Sequence, residues 1–239
     1  AGFGLPHLGN IWPLGDSITY GAAAPSAIPG GYRDPLYKNL VARGCNFRFV
    51  GTVNANPSAP LTQAGQPWHD GHSGYAIADF SIPGKNYSGL YDEVAGWVDK
   101  LDGKPDVILL MIGINDLNQK YDVTGAAGRL DLLITRLFAL MPDVRLLVAS
   151  VLDADSNNAY RHVPPNTDLQ GPVHDYNAGI ASIVGARRAR GQPIEFVDMH
   201  AGLTLDDLSD GLHPTARGYA KMADIWADAI DVNSPDSNG

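Results

Sequence analysis

The sequence is poor in cysteine, in long apolar runs and in positive charge. Cys45 is the single cysteine among 239 residues, so the chain can form neither an intrachain disulfide nor a cysteine-based zinc site. No stretch approaches the roughly 18 uninterrupted apolar residues that a membrane-spanning helix needs. Acidic residues outnumber Lys and Arg by 26 to 17, for a formal net charge of −9. We therefore expect no nucleic-acid or membrane partner, because both favour basic surfaces.

Apolar residues make up 44% of the chain, which is enough for a packed core and excludes wholesale disorder. The length suits one α/β domain, and no linker-like stretch divides it. We expect a single domain over residues 1–232 and a flexible polar tail over 233–239. We also expect a monomer. The chain opens with Ala1 rather than Met, as is typical of a processed mature protein or of a sequence trimmed at its start, and either would have lost any signal peptide.

Short β-branched apolar runs alternate with stretches of helical period. The runs are bounded by turn residues, as is typical of strands buried on both faces of a parallel sheet. The alternation predicts a three-layer α/β/α sandwich. The five predicted strands cover residues 10–14, 47–53, 107–112, 145–151 and 194–197. Helices are predicted to follow Asp34-Pro35 and Ser88, to cover 130–141 and 173–184, and to begin at Pro214.

Two connections are unusually long, from about residue 54 to 87 and from about 152 to 170, and both are rich in Gly, Pro, Asn and Ser. Long irregular loops in a compact domain tend to carry function. In parallel sheets, the functional site lies at the carboxyl ends of the strands. We therefore look for candidate residues where the predicted strands end and in these two connections.

Gly15-Asp16-Ser17 follows the first predicted strand directly. Ser17 has two interpretations. It is a helix N-cap, a common role for serine, or its hydroxyl and backbone N–H face a cleft at the strand-to-helix corner, where a nucleophile belongs.

Asp210-Gly211-Leu212-His213-Pro214 places a carboxylate three residues before a histidine. Asp210 can fold back to accept a hydrogen bond from Nδ1 of His213, which leaves Nε2 free to take a proton from a serine. The alternative is ordinary: Asp210 caps a turn and His213 is a surface residue.

Asn115 follows the most hydrophobic predicted strand, in Gly113-Ile114-Asn115-Asp116. An asparagine at the carboxyl end of a central strand can direct its amide N–H at a developing oxyanion. Its alternative role is an Asx turn or a helix cap.

The segment from Trp68 to Tyr75 lies in the first long connection and is rich in glycine, histidine and aromatic residues. Gly71-His72-Ser73-Gly74 imitates the start of a nucleophile elbow, but Tyr75 occupies the last glycine position, so Ser73 ranks well below Ser17. His69, Asp70 and His72 are of residue types that could bind a metal. The sequence shows no third ligand that would converge on the same ion as two of them.

Taken together, these blocks resemble the SGNH/GDSL hydrolase superfamily, whose four named residues appear here in chain order as Ser17, Gly74, Asn115 and His213. The resemblance implies a flavodoxin-like five-stranded parallel sheet between helices. It implies that Ser17, Asp210 and His213 are catalytic. It also implies an oxyanion hole formed by the backbone N–H groups of Ser17 and Gly74 and the side chain of Asn115, with no metal and no organic cofactor.

Within the superfamily, the blocks at residues 13–21 and 68–75 look like carbohydrate esterase family 3, whose members remove acetyl groups from xylan. The resemblance implies an acetylated polysaccharide or oligosaccharide as substrate and a secreted protein. Trp68, His72 and Tyr75 either bind sugar or pack the loop down. Other SGNH esterases remain alternatives: a pectin or rhamnogalacturonan acetylesterase, or a short-chain lipase or thioesterase. A non-catalytic carbohydrate-binding domain on the same fold is a further alternative.

Overall fold

The computed structural model describes residues 6–232, so the predicted tail at 233–239 lies outside the described residues. The strands are β1 His7–Gly15, β2 Asn46–Phe49, β3 Asp70–Gly71, β4 Phe80–Ile82, β5 Lys85–Tyr87, β6 Val107–Met111, β7 Arg145–Ala149 and β8 Ile194–Val197. The helices are α1 Ser17–Tyr20, α2 Arg33–Ala42, α3 Ala59–Gln63, α4 Leu90–Val98, α5 Ile114–Asn118, α6 Ala126–Leu140, α7 Gln170–Ala189 and α8 Ala216–Val232.

Five strands form the body of one parallel sheet in the order β2-β1-β6-β7-β8, which is the flavodoxin-like order. The two-residue strand β3 pairs in parallel with the end of β1, at Leu14 and Gly15, and extends that edge beyond β2. Helices flank the sheet: α2 packs on α8, and α6 packs on α4 and α7. The predicted α/β sandwich with a five-stranded parallel sheet is confirmed, with β3 as a small addition.

Burial explains why these segments form these elements. All five residues of β6 are buried, as expected for a central strand covered on both faces. The predicted inner face of the last helix is buried as well, and Tyr219, Met222 and Trp226 are each fully buried. Burying one large apolar side chain contributes about 1.5–3 kcal/mol, so these faces hold the helices on the sheet. None of the helices described between residues 6 and 232 is long and apolar enough to cross a membrane.

Several predicted boundaries shift because polar contacts end or begin an element. The final helix begins at Ala216 rather than at Pro214, because Pro214 pairs with Leu208 in an isolated bridge and the Thr215 hydroxyl accepts a hydrogen bond from the N–H of Gly218. The predicted strand over 47–53 ends at Phe49, after which the chain turns to pair Val53 with His69. The first strand is longer than predicted, at His7–Gly15.

The two long connections differ from each other. The first contains α3, β3 and the antiparallel hairpin of β4 and β5. The second has no helix or strand between residues 152 and 169. The hairpin carries a small apolar cluster separate from the main core, which we call the hairpin cluster: Ala76, Phe80 and Tyr87, with Ile82 and Tyr121 packed against them.

Candidate active site

The carboxyl ends of neighbouring strands bring the candidate residues together. Ser17 follows β1 directly, and Asn115 lies in α5, directly beyond β6. Asp210 and His213 come from the segment between β8 and α8. Because β1 and β6 are adjacent parallel strands, Ser17 and Asn115 emerge at the same edge of the sheet.

Ser17 is the first residue of the short helix α1, and its hydroxyl is not used as a cap. The N-cap is Asp16, whose Oδ1 accepts a hydrogen bond from the N–H of Ile18 at 2.9 Å. The hydroxyl of Ser17 lies 3.0 Å from Nε2 of His213. The N-cap interpretation of Ser17 is therefore wrong, and its Oγ is paired with an imidazole.

Asp210 holds the other side of the His213 ring. Its Oδ2 lies 2.8 Å from Nδ1 of His213, and its Oδ1 accepts hydrogen bonds from the backbone N–H groups of Leu212 and His213. Burial alone would raise the pKa of Asp210, but these hydrogen bonds outweigh it and lower the pKa below its ordinary value. An ionised Asp210 favours the proton on Nδ1, which leaves Nε2 as the acceptor that faces Ser17.

Tyr160, from the second long connection, completes this arrangement and was not predicted. Its hydroxyl donates to Oδ2 of Asp210 at 2.8 Å, the same oxygen that faces Nδ1 of His213. Its ring meets the His213 ring edge-on, with centroids 4.9 Å apart. The hydrogen bond to Asp210 raises the pKa of Tyr160, which keeps the phenol protonated as a donor.

Asn115 is held in a fixed orientation. Its Nδ2 donates one hydrogen to the carbonyl oxygen of Tyr75 at 2.7 Å, which leaves the second hydrogen of the amide for another acceptor. Gly113, just before it, has φ +124°, and a Cβ there would lie 2.6 Å from the ring of Tyr176. The hydroxyl of Tyr176 donates to the carbonyl oxygen of Ile112 at 2.8 Å, so α7 supports the strand end that carries Asn115.

Four of the residues described above line a cavity of about 390 Å³: Ser17, Asn115, Tyr160 and His213. Gly74 lies at its edge with φ +81°, and a Cβ there would meet nothing within 4 Å, so backbone conformation rather than space favours glycine. Ser73 also lines the cavity, but no histidine hydrogen-bonds to it among the residues that the structure describes. The lining residues are Ser17, Ala22, Ala23, Ser73, Gly74, Lys85, Tyr87, Asn115, Gln119, Ala159, Tyr160, His162, Leu212 and His213.

The three aromatic candidates for sugar binding do not line this cavity. Trp68 is 40% exposed and lines a separate cavity of about 240 Å³ with Arg48 and Lys100. His72 stacks on Trp97 with ring centroids 4.3 Å apart, and the Tyr75 ring lies 4.9 Å from that of His72. For His72 and Tyr75, the structure therefore favours packing, the second of the two interpretations.

The residues considered for a metal site are engaged in other contacts. Asp70 accepts hydrogen bonds from Trp12 Nε1, from Thr52 and from His72. His69 has its Nδ1 bonded to the N–H of Gly71 and its Nε2 2.8 Å from a carbonyl oxygen. Burial lowers the pKa of His69 to about 3, so its ring is neutral. Over residues 6–232, no group of three or more His, Cys, Asp or Glu residues is placed to hold a metal ion.

Comparison with known proteins agrees with this geometry. The model of the GDSL-like lipase/acylhydrolase family matches residues 14–221, which include every residue of the arrangement described above. The chain belongs to this family. The SGNH/GDSL resemblance inferred from the sequence motifs is thereby confirmed.

Individual members of the family differ in length from this chain. A multidomain esterase of Ruminococcus flavefaciens is 30% identical over 243 residues, which cover 96% of this chain and 29% of that protein. An acetylxylan esterase of Xylanibacter ruminicola is 27% identical over 175 residues, which cover 66% of this chain and 36% of that protein. The chain thus spans about a third of the length of these two relatives.

Among solved structures, a family 3 carbohydrate esterase of Clostridium thermocellum superposes with a TM-score of 0.71 and 29% sequence identity. The match covers 94% of this chain and 98% of that chain. The described fold is therefore similar to that of a carbohydrate esterase over nearly the whole of both proteins.

Proposed function

We propose that the protein is a serine esterase that removes acetyl groups from acetylated xylan or a related plant cell-wall polysaccharide. The observation that carries the proposal is the hydrogen-bonded chain from Ser17 Oγ through His213 to Asp210, with distances of 3.0 Å and 2.8 Å. The choice of acetylated xylan is supported by the similarity to the Xylanibacter ruminicola acetylxylan esterase and the Clostridium thermocellum carbohydrate esterase.

In the first step, Ser17 Oγ attacks the acetyl carbonyl carbon while its proton passes to Nε2 of His213. The new Oγ–C bond gives a tetrahedral intermediate whose oxygen carries the negative charge. The C–O bond to the sugar then breaks, and the departing sugar oxygen takes the proton from His213. Asp210 stabilises the imidazolium and holds its orientation.

The negative oxygen is stabilised by three donors that we assign to the oxyanion hole: the backbone N–H groups of Ser17 and Gly74 and the side-chain amide of Asn115. All three residues line the same cavity. Asn115 is oriented in advance by its bond to Tyr75, so no reorganisation is needed when charge develops.

In the second step, water attacks the acetyl-enzyme and gives its proton to His213, which returns it to Ser17 Oγ as acetate leaves. Every proton transfer uses His213, and the negative charge on the oxygen of the tetrahedral intermediate is stabilised by hydrogen-bond donors of the chain. The proposed reaction therefore needs no metal and no organic cofactor. A cell-wall polysaccharide lies outside the cell, so the proposal includes secretion of the protein.

The test is acetate release from acetylated xylan by the wild type and by Ser17→Ala in parallel. We expect release by the wild type and a loss on the order of 10⁴-fold or more in the variant. Acetylated pectin and longer acyl esters, assayed beside it, separate the alternative esterases. Wild-type protein that hydrolyses none of these esters would overturn the proposal in favour of a non-catalytic carbohydrate-binding domain.

A further inference from the structure

The cavity that contains Ser17 has an unusual charge for this protein. Its described lining includes one Lys or Arg residue, Lys85, and no Asp or Glu. The chain as a whole has the opposite balance, with 26 acidic and 17 basic residues. Among the described residues, no carboxylate forms an ion pair with Lys85. A positive charge without a partner therefore stands at the edge of the candidate active site.

The ammonium group of Lys85 is positioned by the hairpin cluster. Lys85 is the first residue of β5, and its Nζ lies 4.8 Å from the centroid of the Tyr87 ring. The Tyr87 ring stacks on Phe80 at 4.5 Å, and Phe80 stacks on Tyr121 at 4.2 Å, both nearly parallel. Tyr87 lines the cavity as well. The ammonium group thus makes a cation–π contact with the Tyr87 ring, which is itself held by the two rings stacked behind it. This contact leaves the hydrogens of the ammonium group available to a ligand.

We infer that Lys85 binds the carboxylate of a uronic acid, so that the preferred substrate is an acetylated glycan carrying negative charge near the acetyl group. The inference rests on the proposed function. Hydroxyl groups of neutral sugars do not need a full charge for recognition, whereas an unpaired ammonium beside a cavity attracts and orients a carboxylate. Plant glycans offer that carboxylate in two forms, a glucuronic acid branch on xylan and the galacturonic acid units of pectin.

The experiment compares kcat/KM for acetate release from acetylated xylo-oligosaccharides with and without one glucuronic acid branch. The readout is the ratio between the two substrates for each protein. We expect the wild type to favour the charged substrate about twofold to fivefold, the range of one exposed ionic contact. Lys85→Met should bring the ratio close to one, and Lys85→Arg should keep most of it.

Two controls sharpen the result. Lys104→Met removes an exposed lysine that does not line this cavity and should leave the ratio unchanged. Raising the salt concentration to about 0.5 M should reduce the wild-type ratio, because an exposed contact is screened. Acetylated oligogalacturonides, assayed in the same series, tell whether the carboxylate is accepted from the main chain or only from a branch.

A wild-type ratio near one for every charged substrate, or an unchanged ratio in Lys85→Met, would overturn the inference while leaving the proposed function intact. Absence of acetate release by the wild type from charged and neutral glycans alike would overturn the proposed function and the inference with it. The two failures are therefore distinguishable in the same data set.

Discussion

The cavity is built from two kinds of structure, and the contrast between them separates reaction chemistry from substrate choice. One side, which we call the reaction side, consists of Ser17, Asn115 and His213 together with Asp210. The other, which we call the loop wall, consists of residues from the two long connections: Lys85, Tyr87, Tyr160 and His162. Ser17, Asn115 and His213 are each only 6–7% exposed and are held close to the strand ends. Rigid strand ends favour precise chemistry, and loops favour variable contacts.

The loop wall is itself anchored in two ways. The first connection uses stacked apolar rings, with Phe80 between Tyr87 and Tyr121. The second connection is anchored in the main core at its ends, by Leu152, Ala154 and Leu169, and the stretch between them is held by polar contacts. The guanidinium of Arg161 donates to three backbone carbonyl oxygens, and the amide of Gln119 donates to the carbonyl oxygen of Tyr160 at 2.8 Å. A long loop without regular structure can thus be ordered by side-chain hydrogen bonds to its own backbone and with the neighbouring α5 segment.

The largest expected effect comes from breaking the reaction side. Ser17→Ala and His213→Ala should each lower kcat on the order of 10⁴–10⁶-fold, and the double variant should lose little more, because the two act as a unit. The loss should be the same for p-nitrophenyl acetate and for acetylated xylan. A loss confined to the glycan would place both residues in substrate binding and contradict the account.

A smaller but still large effect is expected at the oxyanion hole. Asn115→Ala should cost about 3–4 kcal/mol of transition-state stabilisation, expressed mainly in kcat. Steady-state kinetics with p-nitrophenyl acetate measures this, and thermal unfolding checks that the lost contact to Tyr75 does not unfold the protein. An effect on KM with unchanged kcat would mean that Asn115 binds ground state and transition state equally.

Tyr160→Phe tests whether the loop wall reaches into the reaction side. The change removes the hydroxyl that donates to Oδ2 of Asp210, the oxygen that also faces Nδ1 of His213, so Asp210 holds the His213 ring less firmly. We expect kcat to fall about threefold to tenfold, and to fall for p-nitrophenyl acetate as much as for acetylated xylan. Tyr37→Phe is the matched control, because Tyr37 lies in α2 and its ring packs against Phe47 of β2. An unchanged kcat for p-nitrophenyl acetate in Tyr160→Phe would confine the role of Tyr160 to the loop wall.

Phe80→Leu tests the wall alone. Loss of the stacked ring should loosen Tyr87 and Lys85, so KM for acetylated xylan should rise about twofold to threefold, roughly the value of one aromatic pair. The kcat for p-nitrophenyl acetate, a substrate without a glycan, should change less than KM for the polymer. Equal changes in both would show that the hairpin also supports the reaction side.

The smallest effect concerns stability at Asp16, the residue just before Ser17 of the reaction side. Burial raises the pKa of Asp16 to about 7, well above its ordinary value of 3.8, and a nearby Asp116 adds to the rise. Between these two pH values the folded protein binds more protons than the unfolded chain, so this group lowers stability as pH rises through that window. Asp16→Asn should therefore gain stability relative to the wild type on going from about pH 4 to about pH 8, a shift in Tm of a few degrees. A difference in Tm between Asp16→Asn and the wild type that stays constant from about pH 4 to about pH 8 would contradict the predicted direction.

The reaction side was predictable from the sequence because its signals are local. Ser17 and Asn115 directly follow apolar runs that had to be strands, and Asp210 and His213 are three residues apart. The loop wall was not predictable, because its contacts join distant segments. Tyr160 lies 50 residues from Asp210 and sits in a stretch without periodicity. Trp68 was singled out for its type and its proximity to Gly74 in sequence, yet it lines a different cavity.

The first residues of α1 and α8 differ from the sequence prediction, although the residue types at both helix starts are typical of caps. Asp16 and Thr215 both have side chains suited to capping, and both take that role. The sequence pattern equally allows the adjacent residues to begin these helices, Ser17 as a cap and Pro214 as the first helical residue. Neighbouring residues of similar propensity are separated only by the tertiary contacts that one of them makes.

The central claim is that Ser17, and not the neighbouring Ser73 of the same cavity, is the residue that becomes acylated. An organophosphonate probe followed by peptide mapping tests this directly, because the probe forms a stable adduct with an activated serine. We predict an adduct on the peptide containing Ser17 in the wild type and its absence in His213→Ala. An adduct on Ser73, or labelling of Ser17 that persists without His213, would contradict the account.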